Sequence, residues 1–402
     1  MLRLSPIPAE KNFAVTFVDD TDLSTRENTE PVYEMLSRRN ILGAKTVWVH
    51  PEKRNSAYRK DCEMPISGPS ASGSTLDDTE YLHFVRNLAD RGYEIALHGV
   101  TAGNSYRNET IEGLERYKEY FGKYPRINVF HEKNMENLYC GRHKLDLWPL
   151  KFLEWLSHKS DYQGHIEGSP YFWGDIAIKT IDYMRLPFHT IQEVNTLRIN
   201  PSMPFHDPMR PYVNGWFASS DGADCQRFNR LLSRENVDKL IAERGACIVY
   251  THFAKGFARY KGSVWILSDD FQKTLEYLTS REGGWYPTAS ELLDRLRDFQ
   301  SIRMVHEGGE IVLINEGPET VRDIAIHAKP GTIITSVQGI RYEAGKEGII
   351  KIGSIAPEQK LRFLCHQRII IENTNVPRNN NLRRERHIIE LLNYMGMLKS
   401  RA

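Results

Sequence analysis

The sequence predicts an α/β protein built around a parallel sheet and followed by a small antiparallel β module. Up to about residue 297, short apolar runs alternate with longer segments in which apolar residues recur every three or four positions. This alternation is typical of βα units around a parallel sheet. From Ser301 to Gln367 short β-like runs follow one another without helical segments between them, which predicts a separate all-β unit.

Six strands are predicted in the first unit from short apolar runs that are often β-branched. They are Phe13–Val18, Thr46–His50, Glu94–His98, Ile127–His131, Pro211–Phe217 and Ala246–His252. Several segments between them have a helical period and carry Ser, Asp or Asn near their starts as N-cap candidates. These predicted amphipathic helices are TRENTEPVYEMLSRRN, LDDTEYLHFVRNLADRGY, NETIEGLERYKEYFGKYP and SRENVDKLIAERGA.

The second unit is predicted from five short strands separated by Gly, Pro and Asn turns. They are IVLIN, IAIHA, TIITSV, GIIKIG and LRFLCH. The polar stretch NTNVPRNNNLRRER then leads to HIIELLNYMGMLKS, an amphipathic helix expected to dock on the body of the protein or on a partner subunit. The chain therefore divides into residues 1–297, an accessory β domain at 298–370, and a linker with a final helix at 371–402.

The composition argues against several classes of protein. Lys plus Arg (53) nearly equals Asp plus Glu (52), and no basic run with interleaved aromatic residues suggests a nucleic acid as partner. The five cysteines are scattered without a C-x-x-C pair, which favours reduced thiols over a disulfide framework. The N-terminus MLRLSPIPAEKN does not resemble a signal peptide, and no apolar run approaches the ~20 residues of a membrane span. We expect a cytoplasmic protein.

Polar side chains stand at the C-terminal ends of the predicted strands. Asp19 and Asp20 end VTFVDD, and single histidines end YEIALHG (His98), INVFHE (His131), CIVYTHF (His252) and, with weaker support, TVWVHP (His50). Each has a simple structural explanation by itself, as a capped turn or a hydrogen-bonded histidine. If the strands close into one barrel, however, these side chains meet at the same mouth.

Carboxylate and imidazole groups in this arrangement are typical of a catalytic divalent metal site of the zinc type. A second carboxylate can accept the proton of the attacking water, and a further histidine can protonate the leaving group. Because neighbouring residues on an extended chain point in different directions, one of Asp19 and Asp20 can bind metal while the other faces the substrate. Asp22 is interpreted as a turn residue.

The motifs FAVTFVDD, GYEIALHG and CIVYTHF resemble, in content and order, those of the NodB-type polysaccharide deacetylases. These are the family four carbohydrate esterases of the glycoside hydrolase/deacetylase superfamily. The resemblance covers about residues 10 to 297, including the closing segment GGWYPTASELLDRLRDF. It implies a distorted (β/α) barrel and a divalent metal, zinc first, with nickel or cobalt as alternatives. It also implies Asp19 as general base, Asp20 and His98 as metal ligands, and His252 as general acid.

The chain departs from the family pattern at three places. Val18 precedes the aspartate pair where the family has Phe, and Ala102 replaces the second histidine of the usual His-x-x-x-His motif. The third metal ligand is then Asn104 or His131, and His131 is favoured because imidazole suits these metals better than an amide does. The arginine-proline motif of the fourth strand is absent. The pattern therefore indicates a divergent branch.

Three residues are predicted to bind substrate: Trp216, Asn134 and Asn104. Trp216 lies beside a polar loop, where an exposed ring could stack on a sugar, although a buried core tryptophan would leave the same pattern. Asn134 belongs to HEKNMENLYCGRH, residues 131–143, which is rich in hydrogen-bonding groups. This stretch is interpreted either as a substrate-binding loop or as the capped start of a helix.

The sequence predicts a metal-dependent hydrolase that removes an N-acetyl group, or with less support an O-acetyl group, from a saccharide. A first alternative is an amidase of the same superfamily that cleaves a non-sugar C–N bond. A second is a carbohydrate-binding protein that has lost its metal and its activity. A third is a two-carboxylate glycosidase that uses Asp20 and Glu132. The expected partner is an acetylated saccharide, with no nucleic acid and no membrane span, and a homo-oligomer is compatible with the sequence.

Overall fold

A computed structural model describes residues 2–53, 73–131, 134–156, 162–188, 190–365, 370–371 and 382–401. Its strands are β1 (Arg3–Ser5), β2 (Phe13–Asp19), β3 (Ala44–Val47), β4 (Glu94–Leu97), β5 (Ile127–Asn128), β6 (Tyr183–Arg185), β7 (Gly215–Phe217), β8 (Ser220–Asp221), β9 (Ala246–Thr251), β10 (Ala258–Lys261), β11 (Val264–Leu267), β12 (Gly284–Trp285), β13 (Ile302–Glu307), β14 (Glu310–Asn315), β15 (Val321–His327), β16 (Ile333–Ser336), β17 (Arg341–Glu343), β18 (Ile349–Ile355) and β19 (Lys360–Cys365). Its helices are α1 (Arg26–Ser37), α2 (Thr79–Asp90), α3 (Arg107–Phe121), α4 (Trp148–Leu156), α5 (Gly174–Thr180), α6 (Thr196–Ile199), α7 (Cys225–Leu231), α8 (Arg234–Glu243), α9 (Asp269–Ser280), α10 (Ala289–Phe299) and α11 (Leu382–Arg401).

Nine parallel strands form the large sheet, in the order β7-β6-β5-β4-β3-β2-β9-β8, with β12 also paired to β2. The strands at the two ends of this order, β7 and β8, are consecutive in the chain and are separated only by Ala218 and Ser219. The sheet therefore curls until its two edges meet, which is the distorted (β/α) barrel that the sequence predicted.

The sequence explains why these elements form. All seven residues of β2 are buried, as expected for a parallel strand that is covered on both faces. Helix α1 begins at a capping box between Thr25 and Asn28, and α2 begins after the N-cap Asp78. All six predicted strands have counterparts in the sheet. Strands β6, β8 and β12 were not predicted, because each has only two or three residues and none of them lies in one of the apolar runs taken as strands.

The C-terminal module consists of antiparallel strands, as predicted. One sheet has the order β13-β14-β19-β16-β17, and the other has the order β1-β15-β18. The second sheet includes the N-terminal strand β1, whose Arg3 lies opposite His327 of β15. Leu2 and Leu4 accordingly pack in the core of the module. The N-terminal residues thus lie outside the barrel, in contrast to the predicted unit 1–297, because they complete a sheet edge that their own sequence does not reveal.

Helix α11 docks on the body of the protein, one of the two arrangements predicted for it. The Glu390 carboxylate accepts hydrogen bonds from the backbone N–H groups of Asp146 (2.7 Å) and Leu147 (3.0 Å). Arg386 forms an ion pair with Asp207 at 3.0 Å. The preceding linker, residues 372–381, lies outside the described residues. Over the described ranges, no helix combines the length and apolarity that crossing a membrane requires.

The cysteines in the described part of the chain are free thiols, and Cys247 is fully buried in the core. Cys62 lies outside the described residues.

Candidate metal centre

Four polar side chains meet beyond the C-terminal ends of β2, β4, β5 and β9. The Oδ1 atom of Asp22 lies 3.1 Å from Nε2 of His131, and its Oδ2 atom lies 3.2 Å from Nε2 of both His98 and His252. All four residues are buried, with exposed fractions between 2% and 4%. The convergence of the three histidines at one mouth agrees with the expectation from their positions at strand ends.

The hydrogen bonds behind two of these imidazoles set their orientation. The amide nitrogen of Asn134 donates to the carbonyl oxygen of Gly103 (2.9 Å) and to Glu136 (3.0 Å), so its amide oxygen faces Nδ1 of His131 at 3.2 Å. Nδ1 of His252 lies 2.7 Å from the carbonyl oxygen of Ala223, which can only accept. Nδ1 is therefore the donor in both rings, and the Nε2 lone pair of each neutral ring points at the Asp22 carboxylate.

The Nε2 lone pairs of these rings therefore face the negatively charged carboxylate of Asp22. The two repel each other unless a proton or a cation lies between them. Burial by itself would raise the pKa of Asp22, but the hydrogen bonds that His131, His252 and His98 donate to it when a proton lies on Nε2 hold this pKa well below its usual value. Burial lowers the pKa of His98. For His131 burial is outweighed by the Asp22 carboxylate, so its pKa is raised. The ionised Asp22 therefore attracts a proton or a metal cation.

The donor set fits a divalent metal ion. One ligand atom each from Asp22, His98 and His131 lies within 4.8 Å of the others, and the same holds for Asp20, Asp22 and His252. Carboxylate oxygen and imidazole nitrogen suit zinc, nickel and cobalt. The Asn134 amide and the Ala223 carbonyl orient His131 and His252 from behind, as the outer hydrogen bonds of metal sites do. Asp22 belongs to both groups of candidate ligands and is the centre of the cluster.

Asp20 lies beside the cluster and is paired with an arginine. Its two carboxylate oxygens accept hydrogen bonds from Nη1 and Nη2 of Arg185 at 2.8 and 2.6 Å, and Oδ2 lies 3.9 Å from Nε2 of His98. Arg185 ends β6, is buried, and stacks over the ring of Tyr250 at 4.5 Å. Burial would raise the pKa of Asp20, but the charge of Arg185 outweighs it and lowers the pKa. Asp20 is therefore held as a carboxylate.

Asp19 faces away from the cluster, and the general-base role implied for it by the resemblance is not supported. Its Oδ2 atom accepts hydrogen bonds from Lys45 and from the hydroxyl of Tyr33, each at 2.9 Å, and its Oδ1 atom accepts from the backbone N–H of Phe253 at 2.7 Å. The side chains of Asp19 and Lys45 are fully buried. Because successive strand residues point to opposite sides, Asp19 holds the strand ends together while Asp20 faces the mouth.

Asp22 lies in a turn, as the sequence predicted, and its carboxylate nevertheless belongs to the cluster. The backbone N–H of Ser24 donates to the carbonyl oxygen of Thr21, and Leu23 adopts a left-handed conformation with φ of 62°. This turn carries the Asp22 side chain back over the strand ends. The sequence feature that could have indicated Asp22 as a site residue is the third carboxylate in VDDTD. Arg185 was missed because it ends a strand that was not predicted.

The three predicted substrate-binding residues have other positions. Trp216 is only 1% exposed and packs against Phe130, so it is a core residue and not a platform for a sugar. Asn134 is buried behind His131 and supports that ring. The amide oxygen of Asn104 accepts a hydrogen bond from the backbone N–H of Met135 at 3.0 Å, which links two loops.

Two further residues from the sequence interpretation remain. Nδ1 of His50 lies 3.0 Å from the carboxylate of Asp77, a partner outside the cluster. Glu132, the second carboxylate of the glycosidase alternative, lies outside the described residues.

In sequence, the chain matches no protein-family model and no curated protein. Among solved structures it is similar to an allantoinase, with 11% identity, a TM-score of 0.40, and coverage of 72% of this chain and 92% of that one. A probable polysaccharide deacetylase from Pseudomonas aeruginosa matches with 10% identity, a TM-score of 0.39, and coverage of 71% and 91%. A family 4 acetyl xylan esterase from Clostridium thermocellum, solved with a cobalt ion, matches with 12% identity, a TM-score of 0.32, and coverage of 70% and 90%. These neighbours include the family that the motifs resemble, but similarity this weak does not decide the activity of the chain.

Proposed function

We propose that this protein is a metal-dependent hydrolase that removes the acetyl group from the amide nitrogen of an acetylated saccharide. One observation carries the proposal: the buried carboxylate of Asp22 lies within 3.2 Å of the Nε2 atoms of His98, His131 and His252. The rings of His131 and His252 are oriented from behind, so that their electron pairs face the same point. Several electron-pair donors that face one point, with their rings held from behind, are typical of a metal site.

In this proposal Asp22, His98 and His131 hold the divalent ion, which is zinc, nickel or cobalt by its donor set. A divalent ion held by these residues would polarise a carbonyl oxygen and lower the pKa of water. Asp20, kept ionised by Arg185, is the general base that accepts the proton of the attacking water. His252, whose Nδ1 donates to the Ala223 carbonyl, acts as general acid in its doubly protonated form and gives the Nε2 proton to the leaving nitrogen. The proposed general base is thus Asp20 instead of Asp19, and the proposed metal-binding carboxylate is Asp22 instead of Asp20.

The proposal also assigns parts of the chain. The barrel carries the site, residues 298–370 form an accessory β domain that β1 completes, and residues 371–402 contain a linker and the docked helix α11.

The test begins with metal analysis of protein purified without chelator. We expect about one equivalent of a divalent ion and release of acetate from N-acetylated oligosaccharides, both abolished by Asp22→Asn. A matched control is Asp270→Asn, because Asp270 is exposed on α9. Acetate release that persists after complete removal of the metal would rule out the mechanism.

A second candidate is an amidase that cleaves a small non-sugar C–N bond. It is favoured by the position of Trp216, because the ring expected to stack on a sugar is buried in the core. Assays of N-acetylated oligosaccharides and of small linear and cyclic amides side by side separate the two candidates. Turnover confined to the small amides would replace the saccharide proposal while leaving the metal centre in place.

A further inference from the structure

A second site lies at the other end of the barrel. A partly open cavity of about 330 Å³ lies between the barrel and the C-terminal module. Its lining includes Gly245, which directly precedes β9, whereas His252 directly follows that strand. The six residues of β9 separate the two ends by roughly 20 Å at ~3.3 Å per residue. The cavity is therefore distinct from the candidate metal centre.

Within the described residues, no carboxylate forms an ion pair with Arg3 or Arg244, which both line this cavity. Arg244 hydrogen-bonds only to neutral oxygens, those of the Asn12 side chain (3.2 Å) and the Pro8 backbone (3.3 Å), and its buried Nε has no acceptor in the described part of the chain. Arg244 is only 7% exposed. Among the described residues, Arg3 has neither an ion pair nor a hydrogen bond through its side chain. The third cation in the lining, Arg198, is neutralised by Glu243 at 2.9 Å.

Burial and neighbouring charges shift the pKa values of two basic groups near this cavity. Burial lowers the pKa of Arg244 to about 10; Glu347 opposes this shift and the charge of Arg3 adds to it. Burial, together with the charges of Arg3 and Arg244, lowers the pKa of His327 to about 4. A buried charge without a bound counter-charge is unfavourable, so an anion in the cavity would be attracted strongly.

The rest of the cavity wall is largely apolar. Leu4, Phe299 and Ile302 come from the module side, and Leu197 comes from the barrel side. Small-molecule sites commonly combine such a wall with a few charged groups that orient the ligand, in volumes of roughly 300–1,000 Å³. Charge and shape together define the chemistry of a ligand: an anionic group attached to a compact apolar body.

We propose that this cavity binds a small amphipathic organic anion, a carboxylate or a phosphate on an apolar body, through Arg3 and Arg244. Because the cavity is lined by both the barrel and the module, the bound anion stabilises their association. Binding to the folded state alone raises the melting temperature in a concentration-dependent way. The proposal does not depend on the metal centre or on the proposed hydrolysis.

The test uses the full chain and benzoate as the probe, followed by calorimetry and thermal melting. We expect saturable binding of one benzoate per chain and binding of its neutral analogue benzamide about tenfold weaker or less, since the charge-assisted contacts are lost. Arg3→Gln should weaken benzoate binding by about tenfold or more. The control Arg259→Gln, on the exposed hairpin strand β10, should leave it unchanged. Phenyl phosphate in place of benzoate distinguishes a phosphate from a carboxylate ligand.

Leu197→Trp, which fills the cavity, is a second variant that does not alter its charge. It should abolish benzoate binding while the protein remains folded by circular dichroism. Three results overturn the proposal: equal binding of benzoate and benzamide, binding that neither Arg3→Gln nor Leu197→Trp reduces, or no binding of either anion at ~10 mM. Acetate release is not part of the readout, so failure here is separate from failure of the proposed hydrolase.

Discussion

Arg185 binds both carboxylate oxygens of Asp20, at 2.8 and 2.6 Å, and both side chains are buried. The two residues lie 165 positions apart in the chain. The pair places a carboxylate of lowered pKa within 3.9 Å of His98 and therefore beside the cluster around Asp22. This geometry separates the carboxylate proposed to accept a proton from the carboxylate proposed to bind metal.

Arg185→Lys should shift the pH profile of the hydrolase. Arg185 lowers the pKa of Asp20 by its charge and by its two hydrogen bonds. A lysine keeps the charge but cannot make the bidentate contact, so the pKa of Asp20 should rise, the acid limb of kcat/KM should move to higher pH, and the loss of kcat/KM should be largest at the acid end of the profile. A pH profile of the purified variant checks this, and an unshifted acid limb would remove Asp20 from the role of base.

Asp22→Asn should separate metal binding from folding. The neutral amide removes the charge that attracts the cation, so metal affinity should fall by about 100-fold or more if Asp22 is a ligand. The variant should remain folded, because the imidazoles that face Asp22 can become neutral. Metal titration with a competing chelator measures the loss. Wild-type affinity in Asp22→Asn would contradict the central position given to this residue.

Asp19→Asn should primarily reduce stability. It leaves the ammonium of Lys45 buried without its counter-charge, which costs about 3–5 kcal/mol in the free energy of unfolding. Lys45→Met in the same background should recover part of that loss, since it removes the unpaired charge. Urea unfolding of the three proteins tests the prediction. Full stability of Asp19→Asn combined with complete loss of activity would restore Asp19 as the general base.

Asn134→Ala should weaken metal binding through His131. The Asn134 oxygen holds Nδ1 of His131 as the donor, and losing such an outer contact typically lowers metal affinity by about 10–100-fold. Asn108→Ala, at an exposed position of α3, is the matched control. Isothermal titration with zinc compares them. A direct substrate contact would instead raise KM and leave zinc affinity unchanged.

Glu136→Gln should change how stability depends on pH. Burial raises the pKa of Glu136 from 4.5 to about 7, so the folded state holds a proton that the unfolded state has released between these values. This residue therefore destabilises the wild type increasingly as the pH rises from 4.5 to 7. The free energy of unfolding of the variant minus that of the wild type should be about 3 kcal/mol larger at pH 8 than at pH 4.

Unfolding by urea at the two pH values measures this gain. Glu112→Gln, at an exposed position of α3, should show no such trend. A pH-independent difference between Glu136→Gln and the wild type would place the folded-state pKa of Glu136 near its ordinary value.

Much of the fold follows from local patterns. The buried run of β2, the N-caps of α1 and α2, and the alternation of strands and helices are each encoded in fewer than about twenty residues. The residues that were missed depend on distant parts of the chain. Arg185 ends a strand of three residues, and β1 pairs with a strand more than 300 residues later. No periodic pattern marks either of them.

The sequence by itself determined the α/β barrel, the antiparallel module, and the presence of three strand-end histidines that could share a mouth. Only the tertiary structure decided which carboxylate joins them. A strand alternates its side chains between two sides, so Asp19 and Asp20 could not both face the mouth. Their orientations are fixed by their partners, since Lys45 binds Asp19 and Arg185 binds Asp20. The turn closed by Thr21 and Ser24 then carries Asp22 into the centre. Where a side chain points and which residue it contacts can be read only from the folded protein, because these contacts join residues that are distant in the sequence.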